Sequence, residues 1–90
     1  MSVADSIRRK LNEGLAPLHL EIVDESHRHE GHAGHDGRGE SHFRVTVVSA
    51  AFEGRSRVDR QRLVYGLLAE EMAGRIHALA LVTKAPGEQG

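Results

Sequence analysis

The sequence predicts an α+β domain: a three-stranded mixed sheet with helices on one face, in the order α-β-β-α(α)-β. Three observations predict it. Segments 18–24 and 42–49 alternate apolar and polar residues with period two. A helical stripe over 57–73 separates the second of them from a third strand pattern at 75–83. The whole chain is 90 residues, which leaves room for one small core.

The first element is a helix over 2–14. Ser2 caps it, with Asp5 at capping-box spacing, and Val3, Ile7 and Leu11 fall on one face. Arg8, Arg9 and Lys10 load its later turns with positive charge, which suits the helix dipole. Gly14 is expected just past its end, and Pro17 prevents continuation. In 18–24, Leu18, Leu20 and Ile22 share one face, while His19, Glu21 and Val23 share the other. In 42–49, Phe43, Val45 and Val47 share a face, and the two strands are expected to pair antiparallel. The connection between them, about 25–41, is too long for a tight hairpin. It carries Gly31, Gly34, Gly37 and Gly39 and no strand pattern, which marks it as disordered or functional.

Residues 50–56 connect to the helical stretch 57–73, where Leu63, Val64, Leu67, Leu68 and Met72 form a broad apolar stripe. Gly66 inside it predicts one kinked helix or two short ones, and Gly74 ends it. That length permits a right-handed crossover, which makes the second and third strands parallel. The third strand, 75–83, carries apolar residues on both faces, so both are expected to be covered. The domain is expected to occupy 1–86, with a frayed tail over 87–90.

Composition then narrows the chemistry. The chain has no cysteine and seven histidines. It therefore has no disulfide, no CxxC motif, no cysteine zinc finger and no cysteine nucleophile. Iron–sulfur clusters rest mainly on thiolates, so this chain alone is not expected to hold one. The formal net charge is −1 with histidine neutral, so the chain is not a bulk-basic nucleic-acid binder, and its charge depends on pH through imidazole. No apolar run approaches the ~20 residues of a membrane span. The start, MSVADSIRRKL, has charges throughout and no h-region, so a secretory signal is not expected and a cytoplasmic location is. No nucleophile–base spacing, phosphate loop or cofactor motif points to an enzyme.

Five histidines lie between 27 and 42: His27, His29, His32, His35 and His42. Neutral imidazole ligates zinc, copper, nickel and iron, and flexible glycine spacing lets several rings converge. Asp24, Glu25, Glu30 and Asp36 add oxygen ligands nearby. The same tract is equally a solvated polar loop with adventitious metal affinity. His77 stands apart, inside the apolar run IHALAL, either buried with one hydrogen bond or at the rim where strand meets solvent. Arg55, Arg57, Arg60 and Arg62, with only Asp59 among them, form a basic stretch that could contact phosphates or be an ordinary solvated helix face. Gly31-His32-Ala33-Gly34 is a GxxG, but it lies between strands, whereas KH domains place that clamp between helices.

Several segments resemble the BolA family. They are Asp24-Glu25-Ser26-His27, Ser41-His42-Phe43-Arg44-Val45 and Val48-Ser49-Ala50-Ala51-Phe52-Glu53-Gly54. They continue with Arg60-Gln61-Arg62-Leu63-Val64-Tyr65, Leu68-Ala69-Glu70-Glu71 and Ile76-His77-Ala78-Leu79. The match runs in order from about residue 3 to residue 86. Gln61 stands where the family often has histidine, and the tail after Pro86 is short. The resemblance implies an α-β-β-α-α-β fold, KH-like (class II) without a functional GxxG clamp.

The resemblance also implies two roles. One is a partnership with a monothiol glutaredoxin, the two proteins sharing a [2Fe–2S] cluster with glutathione. There the BolA-like chain supplies a histidine from its last strand, here His77, and a second ligand from the loop between the first strands. His29 matches that second position best, His32 competes with it, and His27 does so less. The implied cluster fits the composition: two imidazoles can hold one iron, while thiolates from outside hold the other. The other role is a DNA-binding transcriptional regulator using the helix around Arg57–Tyr65. A zinc or copper site in the His-rich loop is a third reading. Whether the chain forms a homodimer stays open.

Overall fold

The computed structural model describes residues 2–25 and 42–88. The elements are α1 (Val3–Leu15), β1 (His19–Asp24), β2 (His42–Val48), a 3-10 turn (Ala50–Phe52), α2 (Arg57–Leu67), α3 (Ala69–Ala73) and β3 (Ala78–Lys84). The sheet order is β1-β2-β3. β1 and β2 are antiparallel, with Ile22 opposite Val45, and β2 and β3 are parallel, with Val45 opposite Leu81. The crossover through α2 and α3 makes that parallel pair, as the element order requires.

α1 starts where its cap residues dictate. Ser2 Oγ accepts the Asp5 N–H at 3.0 Å and the Asp5 carboxylate accepts the Ser2 N–H at 3.4 Å, a full capping box. Its end differs from expectation. The helix runs through Gly14 to Leu15, and the left-handed residue is Ala16, at φ 44° and ψ 56°. Gly14 is small for another reason: a Cβ there would lie 2.8 Å from both methyl carbons of Leu67, so it admits the close approach of α2. The longer helix also leaves no cation in its last turn. Lys10 instead reaches across to Glu70 at 3.0 Å and Glu71 at 2.9 Å, tying α1 to α3. A left-handed conformation costs a non-glycine residue about 1–2 kcal/mol, part of which glycine loses again through its freer unfolded chain. Ala16→Gly is therefore expected to stabilise the fold by about 0.5–1 kcal/mol, read as a higher urea midpoint at unchanged slope.

The core lies between the helices and one sheet face. Ile7, Leu11 and Leu15 of α1 meet Phe43, Val45 and Val47 of β2, with Phe52, Val64 and Leu68 closing the layer. Each such side chain contributes about 1.5–3 kcal/mol by leaving water. The break between α2 and α3 falls at Leu68 (φ −104°, ψ 21°), not at Gly66. Leu68 is fully buried, so its anchoring in the core coincides with the bend, while Gly66 faces open space.

Three expectations change in the sheet. β3 begins at Ala78, so residues 75–77 precede it. Its two faces are not both covered: Leu79 and Leu81 pack on the core, whereas Ala78, Ala80 and Val82 are exposed. Helices back only one face of the sheet, and small apolar side chains on the other tolerate water. Leu18, expected on the inner face, is 73% exposed; it lies before β1, where its N–H donates to the Val48 carbonyl. Of the tail expected to fray, Gly87 and Glu88 form a turn with Ala85 that Arg60 bonds to the body, and 89–90 lie outside the described residues.

Candidate functional site

Two groups of residues stand at opposite ends of β3. The first surrounds His77. This residue lies immediately before β3 and is exposed, so the rim position holds and the buried one does not. Buried Ile76, whose N–H bonds to the Glu71 carbonyl, fixes the chain just ahead of it. In the parallel register, His42 at the start of β2 pairs with Ala78. The His42 and His77 rings consequently stack, with centroids 6.2 Å apart and planes 26° from parallel. The Glu25 N–H donates to the His42 carbonyl at 2.7 Å, and Glu25 pairs with Arg44 at 3.4 Å.

The segment carrying His29 and His32 therefore leaves the sheet at Glu25 and returns at His42, beside His77. His27, His29, His32 and His35 themselves lie outside the described residues, and so does the GxxG. Among the described residues no group of three or more His, Cys, Asp and Glu could hold a metal. The pair His42–His77 offers two imidazoles and no thiolate, which fits a share of one iron in a [2Fe–2S] cluster and not the whole group. Sequence reasoning counted His42 with the His-rich tract but did not place it beside His77. The signal is the strand register, which composition and spacing do not reveal.

The second group forms a groove of about 540 Å³ between the start of α2 and the end of β3. Arg55, Arg57 and Arg60 line it together with Lys84, Leu81, Val82, Thr83 and Glu88. Arg62, expected with the other arginines, is exposed but does not line it, because at two residues from Arg60 it projects from another side of α2. Arg55 Nε donates to the Ala51 carbonyl at 2.9 Å. Arg60 is the most enclosed: its Nε donates to the Arg55 carbonyl, Nη1 donates to the Thr83 carbonyl at 3.3 Å, and its guanidinium lies 5.9 Å from the Phe52 ring centroid. Together with Tyr65, whose hydroxyl reaches the Leu79 carbonyl at 3.5 Å, it covers carbonyls of β3 from α2.

Glu88 meets Arg60 at 2.6 Å, and this pair sets the carboxyl's ionisation. Hydrogen bonds from Arg60, then from the Ala85 N–H, lower its pKa from 4.5 to about 2. The unfolded carboxyl takes up its proton at the higher pH, so the pair's contribution is complete above about 4.5 and is lost as pH falls through about 2. In an NMR titration the Glu88 carboxyl carbon should keep its ionised shift until the pH approaches about 2. A midpoint near 4.5 would show that the pair does not form in solution.

A mixed sheet backed by three helices has counterparts among known proteins. Residues 11–88 match the family described as BolA-like protein, and the chain belongs to the BolA family. A Sinorhizobium sp. relative, "Uncharacterized protein in cobS 5'region", is 51% identical over 98% of this chain and 96% of its own length. The Escherichia coli protein named DNA-binding transcriptional regulator BolA is 45% identical over 92% of this chain and 75% of its own. The chain spans about half, 54%, of Protein BOLA1, chloroplastic, from Arabidopsis thaliana, with 49% identity over 94% of this chain. The solved BolA domain of SufE1 from Arabidopsis thaliana superposes with a TM-score of 0.86 at 46% identity, covering 99% of this chain and 98% of that one.

Proposed function

We propose that this chain is a non-enzymatic adaptor or regulator that pairs with a monothiol glutaredoxin and shares a [2Fe–2S] cluster with it, in iron–sulfur trafficking or iron and redox sensing. The supporting observation is His77: exposed, at the sheet rim, 6.2 Å from the His42 ring and beside both ends of the His-rich segment. His77 supplies one imidazole, and His29, His32 or His42 the second. The chain has no thiol, so the remaining ligands come from the glutaredoxin cysteine and a bound glutathione. Bound, the cluster supplies one-electron redox chemistry and a transferable iron–sulfur unit. A histidine ligand must be neutral, so acid is expected to bleach the complex. Among the described residues no helix is long and apolar enough to cross a membrane, and the reading keeps the cytoplasmic location expected from the sequence.

Reconstitution with iron and sulfide tests this reading. The chain alone should stay colourless, and its mixture with a monothiol glutaredoxin and glutathione should give a visible spectrum different from that of the glutaredoxin alone. An unchanged glutaredoxin spectrum would overturn it.

A second reading is DNA contact through the cationic groove, supported by Arg55, Arg57, Arg60 and Lys84 lining one cavity and by the name of the Escherichia coli relative. Here the groove side chains meet backbone phosphates, and cluster state at the far rim could gate the contact. Binding isotherms at two salt concentrations test it, since each phosphate contact adds about 0.9 to the salt slope. Absence of any salt-dependent binding would exclude it.

A further inference from the structure

The groove already holds an anion, and that anion is its own. The Glu88 carboxylate accepts from both arms of the Arg60 guanidinium, at 2.6 Å from Nη1 and 2.9 Å from Nη2, and also from the Ala85 N–H at 2.9 Å. A planar guanidinium fork joined by a main-chain N–H is the donor set that phosphate oxygens take. Arg55, Arg57 and Lys84 line the same cavity, and none of them is in an ion pair among the described residues. Four cations thus face one carboxylate, so the groove carries more positive charge than its occupant neutralises.

Glu88 also sits on an exposed turn. Its N–H closes a turn on the Ala85 carbonyl at 3.1 Å, with Gly87 at φ 86° in the middle. Ala85 is buried, but Pro86, Gly87 and Glu88 are exposed. Swinging Glu88 away therefore breaks the turn and the Arg60 bonds and uncovers no core side chain. The Arg60 guanidinium stays in place meanwhile, because the Arg55 and Thr83 carbonyls and the Phe52 ring hold it independently.

We propose that Glu88 is an internal counter-anion that fills the phosphate position at Arg60, and that a phosphate group entering the groove displaces it. This rests on the second reading above, in which the phosphate belongs to a nucleic-acid backbone. Affinity for nucleic acid is then set by a competition built into the chain. Orthophosphate carries the same chemistry and probes the position by itself.

The test compares the wild-type protein with Glu88→Gln, which keeps side-chain length and an acceptor for the Ala85 N–H but removes the charge. Each is titrated with a duplex oligonucleotide at two salt concentrations, and with orthophosphate while the amide signals of 85–88 and the Arg60 Nε–H are followed by NMR. E88Q is expected to bind the duplex about fivefold more tightly, the span of an exposed ion pair. Its salt slope should equal that of the wild type, because both bound complexes make the Arg60 contact. Adding Arg60→Ala to E88Q should lower the slope by about 0.9, one phosphate contact, and remove the gain in affinity. Orthophosphate should shift the Arg60 Nε–H signal at lower concentration in E88Q than in the wild type. Equal affinity in both proteins would overturn the proposal and leave the nucleic-acid reading standing. If neither protein binds the duplex, that reading falls and orthophosphate decides: tighter binding by E88Q upholds the displaced carboxylate, and equal or absent binding overturns it.

Discussion

His77→Ala is expected to abolish the visible spectrum that distinguishes the mixed complex with a monothiol glutaredoxin, while leaving the fold intact. The fold should survive because the imidazole is exposed and precedes β3, so its removal opens no cavity and strands no buried partner. The spectrum should not survive, because one of the two imidazoles supplied by this chain is lost and the chain has no thiol to replace it. The measurement is an absorption and circular dichroism comparison of reconstituted wild-type and variant mixtures, with thermal melts as the control for folding. Single alanine variants of His29, His32 and His42 complete it: the one that matches H77A names the second ligand. A wild-type spectrum from H77A would show that the ligand assignment is wrong. Zinc or copper affinity that is unchanged in H77A and lost in both His29→Ala and His32→Ala would point instead to chelation within the His-rich segment.

Ser49→Ala is expected to cost about 2 kcal/mol of stability, through two hydrogen bonds made by one buried hydroxyl. Ser49 is fully buried. Its Oγ donates to the Leu15 carbonyl at 2.6 Å, satisfying the end of α1, and accepts the Ala51 N–H at 3.1 Å, capping the 3-10 turn. Its N–H meanwhile bonds to the Lys84 carbonyl at 2.9 Å, so the residue joins α1, β2 and β3 at one point. Alanine keeps the backbone bond and leaves the Leu15 carbonyl buried without its hydroxyl partner. For a domain of this size that corresponds to a fall in Tm of about 10 °C. Ser2→Ala removes the same chemistry at a partly exposed cap and should cost about 1 kcal/mol or less. Equal effects of the two substitutions would show that burial of Ser49 adds nothing.

Local pattern carried most of the fold. The period-two alternation of Leu20, Ile22, Phe43, Val45 and Val47 corresponds to their inward face, and Ser2 with Asp5 marks the start of α1 to the residue. What misled were signals with two physical meanings. Gly14 looks like a helix terminator, yet it is a contact point for Leu67, and only the approach of α2 distinguishes the two. The run Ile76–Val82 looks apolar on both faces because alanine is compatible with either environment; the helices cover just one. Leu18 has the right parity for the core but lies one residue before the strand that would have directed it there.

The candidate sites divide in the same way. His77 and the cluster Arg55, Arg57 and Arg60 are legible as residue types at suggestive places, but their partners are not. His42 lies 35 positions from His77 in the chain and meets it only through the parallel register of β2 and β3. Lys84 and Glu88 join the arginines because the end of β3 runs past the start of α2, a contact across 28 residues for Arg60 and Glu88. By itself, then, the sequence determined the order and type of the elements, the absence of thiols and the abundance of imidazole, because these follow from side-chain chemistry and local periodicity. Only the tertiary structure decided that His77 is exposed beside His42, and that one carboxylate closes the cationic groove. Register and crossover bring together groups that no local pattern relates.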